Sequence, residues 1–344
     1  MRRPSFARLA GRALLAIALA LVAVSVWAWV TLHTPHAGWE GDAAEVFLRP
    51  GIGAGSVLRE LAGAGVLRHP RVARAWLSWR GGGDRLQAGE YRFEEPLSPI
   101  ELLERLQSGD VVLHAITLPE GLTISETAER FAAAGFGDRE RLLAAFGDPA
   151  PILDFDPEAA DLEGYLFPET YHFPRGETAE RIARAMVRQF REAVGARFAE
   201  DAAQVGLSAR EAVVLASLIE KETGVADERP RISRVFHNRL LRGMRLECDP
   251  TVIYALRRSG REVGRLTYGD LRFASPWNTY HAAGLPPGPI ASPGRASLLA
   301  SLSPASGDEL YFVAAPGGGH RFSKSLQEHR RAVAEWRRYV GSSR

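Results

Sequence analysis

Two glutamates, Glu220 and Glu222, close the apolar run AVVLASLIEKET and are the side chains in this sequence best suited to acid–base chemistry. Ser208-Ala209-Arg210-Glu211 is a capping box that starts a helix ahead of them, and Gly224 is placed to stop it. Residues 212–219 are apolar or small on nearly every face, so this helix belongs inside a domain. A carboxyl at its end loses solvent and meets the negative end of the helix macrodipole. Both effects raise its pKa, and a carboxyl that stays protonated near neutral pH can act as a general acid. Two residues apart on a helix means roughly 200° of rotation, so Glu220 and Glu222 cannot face one cleft as a dyad. For either one, the competing reading is a surface cap paired with an arginine.

Other residues offer less. His237, His281, His320 and His329 lack metal-type spacing, so neither a metal nor a cofactor is expected. Pro316-Gly317-Gly318-Gly319-His320 reads as a hairpin turn between YFVAA and HRFSK and lacks the context of a phosphate loop. Ser217 and Ser323 have no adjacent base. Cys248 is the single cysteine, which excludes an intramolecular disulfide and a thiolate cluster and leaves a small apolar side chain. The loop SPWNTYHAAGLPPGPIASPG carries Asn278 and Tyr280 among prolines and glycines, a stiffness that suits a cleft wall.

The elements that must position these groups begin with a membrane anchor. Residues 13–32 run twenty positions without a formal charge, long enough to cross a ~30 Å hydrocarbon core as one helix. Trp27 and Trp29 mark the far interface, and Arg2, Arg3, Arg8 and Arg12 should keep residues 1–12 cytoplasmic. A cleaved signal peptide is the alternative, but its apolar stretch would be unusually long. The 344 residues, 46% apolar, exceed one ordinary core and are too apolar for wholesale disorder. Without residues 1–12, 39 basic groups face 41 acidic ones, so the folded part is no nucleic-acid binder.

A linker at 33–44 leads to a strand–helix–helix–strand pattern with one more helix behind it, over 45–112. Its strands read at 45–48 and 88–93 and its helices at 57–64 and 71–79; Ser98-Pro99-Ile100-Glu101 caps the last helix. This unit looks like a LysM-type module, a fold associated with N-acetylated glycans, with a plain spacer as the alternative. The remainder, 113–344, reads as a mixed α+β domain: a strand at 111–118, a Thr123–Glu126 capping box, helices at 124–134, 139–147 and 177–195, and the aromatic loop EGYLFPETYHF between them. Further helices are expected at 232–241 and from Asp249-Pro250 onward.

Three long motifs in order, LASLIEKETGVADERPRISRVFHNRLLRGMRLECDPTVIYAL, SPWNTYHAAGLPPGPIASPG and LYFVAAPGGGHRFSKSLQEH, closely resemble the MltG, or YceG-like, family of endolytic murein transglycosylases. The resemblance runs from the anchor to the C-terminus and is strongest after residue 208. It implies a lysozyme-like catalytic helix with Glu222 as the acid, because Glu222-Thr223 fits the glutamate–hydroxyl pattern of lytic transglycosylases and Glu220-Lys221 does not; Glu220 is the second choice. It also implies substrate-binding roles for Asn278 and Tyr280, and for Asp249, Thr251 and Tyr254 of the DPTVIY run, with the backbone of 285–290 at the cleft.

The implied chemistry needs only one carboxylate. The N-acetyl group of N-acetylmuramic acid supplies the attacking oxygen, as in substrate-assisted glycosidases, and the product ends in a 1,6-anhydro ring. The expected setting is a single-pass inner-membrane protein of a Gram-negative bacterium, with its catalytic domain periplasmic. It would cut nascent peptidoglycan strands beside the synthases and so end their elongation. The rival readings are a water-using muramidase and a non-catalytic peptidoglycan-binding scaffold.

Overall fold

The computed structural model describes residues 6–81 and 85–342. Arg2 and Arg3, on which the cytoplasmic placement of the N-terminus partly rests, lie outside them. The first helix, α1 (Phe6–His33), contains a 24-residue stretch, Ala10–His33, with a mean hydropathy of 2.5 over its most apolar 18 residues, none of which is buried against the rest of the chain. That is enough length and apolarity to cross a bilayer.

Backbone contacts divide the chain into two compact units, residues 1–114 with 172–176, and residues 115–171 with 177–344. The first unit follows the expected order. Strand β1 (Ala44–Leu48) is followed by α2 (Ala54–Gly63), α3 (Pro70–Arg80), β2 (Gly89–Phe93) and α4 (Pro99–Ser108). β1 pairs antiparallel with β2, Val46 opposite Tyr91, and alternate residues of both strands turn inward. Their inner faces meet Leu58, Leu61, Leu102 and Leu106 in one core. Each such leucine stabilises the fold by ~1.5–3 kcal/mol. The Ser98 capping box forms as read, with Glu101 returning a bond to the Ser98 amide.

The second unit is helix-dominated, with short strands. Strands β3 (Leu113–Thr117) and, later, β4 (Thr170–Pro174) straddle the boundary between the units, and α5 (Ile124–Ala133) and α6 (Arg139–Phe146) follow β3 within the second. The segment read as an aromatic loop instead ends in a strand, β4 (Thr170–Pro174), which pairs with β3. The reading missed it because its alternation, with Tyr171 and Phe173 inward, covers one short stretch after Pro168. Next come α7 (Ala179–Val194), an unforeseen short α8 (Phe198–Gln204), and α9 (Ala209–Glu222). Then follow α10 (Arg229–Leu241), α11 (Asp249–Arg258), α12 (Arg295–Leu302), the hairpin β5 (Tyr311–Ala314) and β6 (His320–Ser323), and α13 (Leu326–Ser342). Among the described residues the fold is mixed α+β, with its strands in three two-stranded sheets.

α9 is the axis of this unit. Residues 212–219 are all buried, packing with Ile232 and Phe236 of α10 and with Leu246, Cys248 and Ile290. Gly224 does not stop the helix as expected. α9 ends one residue earlier, where Thr223 turns extended (φ −143°, ψ 137°) and its Oγ1 accepts the Val225 amide at 2.9 Å.

Candidate active site

The two glutamates that end α9 have separate surroundings, as their angular offset requires. Glu220 accepts the Gly294 amide at 3.0 Å and lies 3.7 Å from the Arg229 guanidinium, which also reaches Glu120 at 3.6 Å and donates to Ser297 at 3.1 Å. With its side chain 7% exposed, Glu220 ties α9 to α10 and to the start of α12. Lys221, between the two, donates to the Gly121 carbonyl at 3.0 Å.

Glu222 meets no cationic clamp of this kind. Burial pushes its pKa up to about 7, and the nearby charge of Asp249 adds to that. Three neighbours oppose the rise: a hydrogen bond from the Cys248 thiol and the charges of His320 and Arg239. Desolvation wins because a carboxylate deprived of water is costlier than one modest donor and two further lowering contributions can offset. Arg239 is already engaged, donating to the carbonyls of Arg245, Leu246 and Leu310 and to Glu247. Near neutral pH, Glu222 therefore holds a proton it can give away.

Glu222 is among the residues lining a groove of about 490 Å³. Its walls are Thr223 to Val225 at the end of α9, the β5–β6 hairpin from Ala314 to His320, and the rings of Trp336 and Tyr339 on α13. Those two rings stack on each other, centroids 5.8 Å apart and 27° from parallel. The sequence reading had given no part to either ring.

Cys248 is held tightly. Its amide donates to Thr279 Oγ1 at 2.9 Å, its carbonyl accepts from Thr251 Oγ1 at 2.6 Å, and the two threonine hydroxyls lie 2.9 Å apart. The preceding Glu247 takes a left-handed conformation (φ 50°), unusual for a side-chain-bearing residue, and that turn delivers the thiol to α9. Burial and the adjacent Glu222 raise the Cys248 pKa, so the sulfur stays a thiol and donates. The bland apolar reading of Cys248 thus misses its hydrogen bond.

The expected substrate-binding residues divide. Asp249 lies beside Glu222 and accepts from the Tyr280 hydroxyl at 2.6 Å, a bond that, after burial, raises the Tyr280 pKa. Asn278 is fully buried; its amide donates to the carbonyls of Leu271 and Phe273 and its oxygen accepts the Tyr280 amide. It orders the loop that presents Tyr280. Thr251 is likewise fully buried, against Thr279. Within the 285–290 run, Ile290 packs on α9, its amide donating to Ser217 at 3.1 Å.

Tyr254 faces elsewhere, donating to Glu163 at 3.3 Å beside a second cavity of about 500 Å³. Glu163 also accepts the Ile124 amide at 3.1 Å, and burial pushes its pKa up to about 8. The next residue must be glycine: Gly164 has φ 84°, and a Cβ there would sit 2.4 Å from Pro289. Sequence reading passed over Glu163 because nothing near it in the chain marks it; its partners come from α5 and α11.

A model for the YceG-like family matches residues 46–335. A protein of Bacillus subtilis (strain 168) named endolytic murein transglycosylase is 32% identical over 287 residues, 79% of this chain and 78% of its own length. A Streptococcus pneumoniae (serotype 2, strain D39) protein of the same name is 29% identical over 323 residues; the match covers 84% of this chain and 58% of the streptococcal one. The crystal structure of a YceG-like protein from Listeria monocytogenes is 31% identical, covers 85% of this chain and 99% of its own, and superposes with a TM-score of 0.57.

Proposed function

The chain belongs to the YceG-like family, and we propose that it is an endolytic murein transglycosylase, a lyase acting on peptidoglycan, with Glu222 as its catalytic acid. The observation that carries the acid assignment is a glutamate whose pKa burial raises to about 7 and which lines a groove together with two stacked aromatic rings.

The reaction then runs in two proton transfers. Glu222 protonates the β-1,4 glycosidic oxygen between N-acetylmuramic acid and N-acetylglucosamine while the N-acetyl carbonyl oxygen attacks the anomeric carbon, and the exocyclic C–O bond breaks. The carboxylate so formed takes the proton of the C6 hydroxyl, whose oxygen displaces the acetamido oxygen and closes the 1,6-anhydro ring. Water is not consumed and Glu222 ends as it began. The Cys248 thiol donates to this carboxylate during the anionic interval, and Tyr280 holds Asp249 in place beside it. Trp336 and Tyr339 offer the apolar face on which a pyranose ring of the strand lies.

Glu220 is assigned a structural role instead, because its carboxylate is already bonded to Gly294 and Arg229. Asn278 and Thr251 act as supports for the Tyr280 loop and for Cys248, and Tyr254 as a partner of Glu163. Around this domain, taken as 113–344 with α9 as a lysozyme-like catalytic helix, the rest of the chain places the cut. The helix at 13–32 anchors it in the inner membrane with residues 1–12 cytoplasmic, the 33–44 linker follows, and the LysM-like module at 45–112 grips glycan in the periplasm. Peptidoglycan synthases are the natural partners, since their product is the substrate.

Asp249 is the one observation favouring the water-using alternative, because it puts a second carboxyl near Glu222. Its bond from Tyr280 leaves it poorly placed to activate water. Product mass separates the two routes. The full chain, in detergent with uncrosslinked glycan strands, should release 1,6-anhydro ends, and Glu222→Gln should abolish that release. Products heavier by one water would establish hydrolysis.

A further inference from the structure

The helix that carries the apolar span does not end in a free tether. His33 closes α1, and three residues later the His36 amide donates to the Leu97 carbonyl at 3.1 Å. The Gly38 amide then donates to the Gly65 carbonyl at 2.9 Å, and Trp39 packs on the core that holds Val46, Leu58, Tyr91 and Leu102. Gly65 admits no side chain, because it has φ 76° and a Cβ there would stand 2.5 Å from the Gly38 carbonyl carbon. Within α1 itself, Leu32 is buried, and the ring of Trp27 meets that of His69 edge-on with centroids 5.7 Å apart. The last turns of α1 and the strand–helix module are therefore held as one body.

Between the two lies a cavity of about 420 Å³. Trp27, Val30, Val66, Leu67 and Leu97 give it apolar walls, and Arg68 lines it from the turn before α3. Arg68 is exposed and, among the described residues, has no carboxylate within ion-pair distance. No acidic residue lines this cavity, whereas the grooves at Glu222 and Glu163 each contain carboxylates. A guanidinium with no counter-charge beside an acid-free cavity attracts an anion. The level of the cavity says which kind. From Trp27 to Thr34, both on its wall, the helix rises about 10 Å at 1.5 Å per residue. With α1 crossing the bilayer, that rise covers the change from acyl chains to headgroups, a layer about 5–7 Å thick on each side of the hydrocarbon core. Leu19, Leu21, Val22, Val24 and Val26, on the preceding turns, are all exposed, so the apolar wall runs on into a lipid-facing surface.

We infer that this cavity is a site for one membrane phospholipid, which seats its phosphodiester at Arg68 and lays an acyl chain along Trp27 and Val30. The inference rests on α1 being the membrane anchor and is independent of which glutamate is the acid. An arginine fork matches two phosphate oxygens at once, and its charge completes the ion pair that the chain itself leaves open. Inorganic phosphate offers the same oxygens but leaves the apolar walls unfilled, so the lipid is the better fit to both halves of the cavity. A lipid held in this way fastens the module to the leaflet at a second point beside α1.

The test is native mass spectrometry of the full chain in detergent, titrated with phosphatidylglycerol. The parent should retain one lipid well before any further ones bind. Arg68→Gln should weaken that first binding about five- to tenfold. Thr34→Trp should weaken it similarly, because its ring takes up space in the same cavity while the arginine stays. Arg59→Gln, at an exposed arginine of α2 outside the cavity, should leave it unchanged. Inorganic phosphate should not displace the lipid. Equal retention by Arg68→Gln and the parent overturns the inference. So does displacement by inorganic phosphate, which would make this an ion site, and so does a graded series of bound lipids with no distinct first one. Alkaline extraction of the full chain from phosphatidylglycerol vesicles separates the site from the anchor: a chain released to the supernatant removes the span and the site together, whereas an embedded chain whose Arg68→Gln form retains lipid like the parent removes only the site.

Discussion

Replacing the proposed acid with its neutral isostere should stabilise the catalytic unit, and only at higher pH. Glu222 has an ordinary pKa of 4.5 and is raised by burial to about 7 in the folded chain. Between those values the folded chain keeps a proton that the unfolded chain has released. The stability this contributes is therefore fully present below pH 4.5 and is lost as pH rises through about 7. That interval is worth about 3 kcal/mol at about 1.4 kcal/mol per unit, an upper figure because the groove admits some water. Glu222→Gln has nothing to ionise, fills the same volume and still accepts from the Cys248 thiol. The assay is thermal unfolding of parent and variant across this range. For a unit of this size, the melting-temperature gap should open from near zero at pH 4.5 to about 6–12 °C at pH 8. Glu163, raised to about 8, titrates in both proteins and cancels from the difference. A gap independent of pH would refute the desolvation of Glu222 and, with it, the source of its acidity near neutrality.

Glu220→Gln should do the opposite. It leaves Arg229 with a weakened partner and should cost about 2–4 kcal/mol at pH 7 in the same melt, while the folded fraction keeps its activity. A stable but inactive Glu220→Gln protein would transfer the acid role to Glu220. Trp336→Ala removes half of the stacked pair on the groove wall, at a distance from the reacting bond. It should raise KM about two- to tenfold with kcat little changed, read from initial rates on glycan strands of defined length. A fall in kcat with KM unmoved would place the ring against the transition state instead.

What the sequence makes legible is local. The capping boxes at Ser98, Thr123 and Ser208 each lie within four residues, and all three form with both reciprocal bonds. The burial of α9 and the divergence of its two terminal glutamates follow from the helical repeat. What stays hidden depends on distant partners. The bonds from Cys248 to Thr279 and from His320 to Glu228 join residues 31 and 92 apart, and no periodicity encodes them. Within DPTVIY, Asp249 and Tyr254 lie five residues apart on α11 and take different partners, Tyr280 and Glu163, which the motif itself does not show. Short elements such as α8 and β4 fail for another reason: each is too brief for its pattern to stand out from its loop.

The lone sulfur of Cys248 has a use that follows from where it sits. It is 1% exposed and its pKa is raised by burial and by Glu222, so an alkylating reagent finds almost no thiolate to attack while the core is closed. With no second cysteine in the chain, any label that does attach marks a molecule that has opened around its acid. The rate of that labelling is a clock for breathing around Glu222, readable on the purified chain without an added probe site.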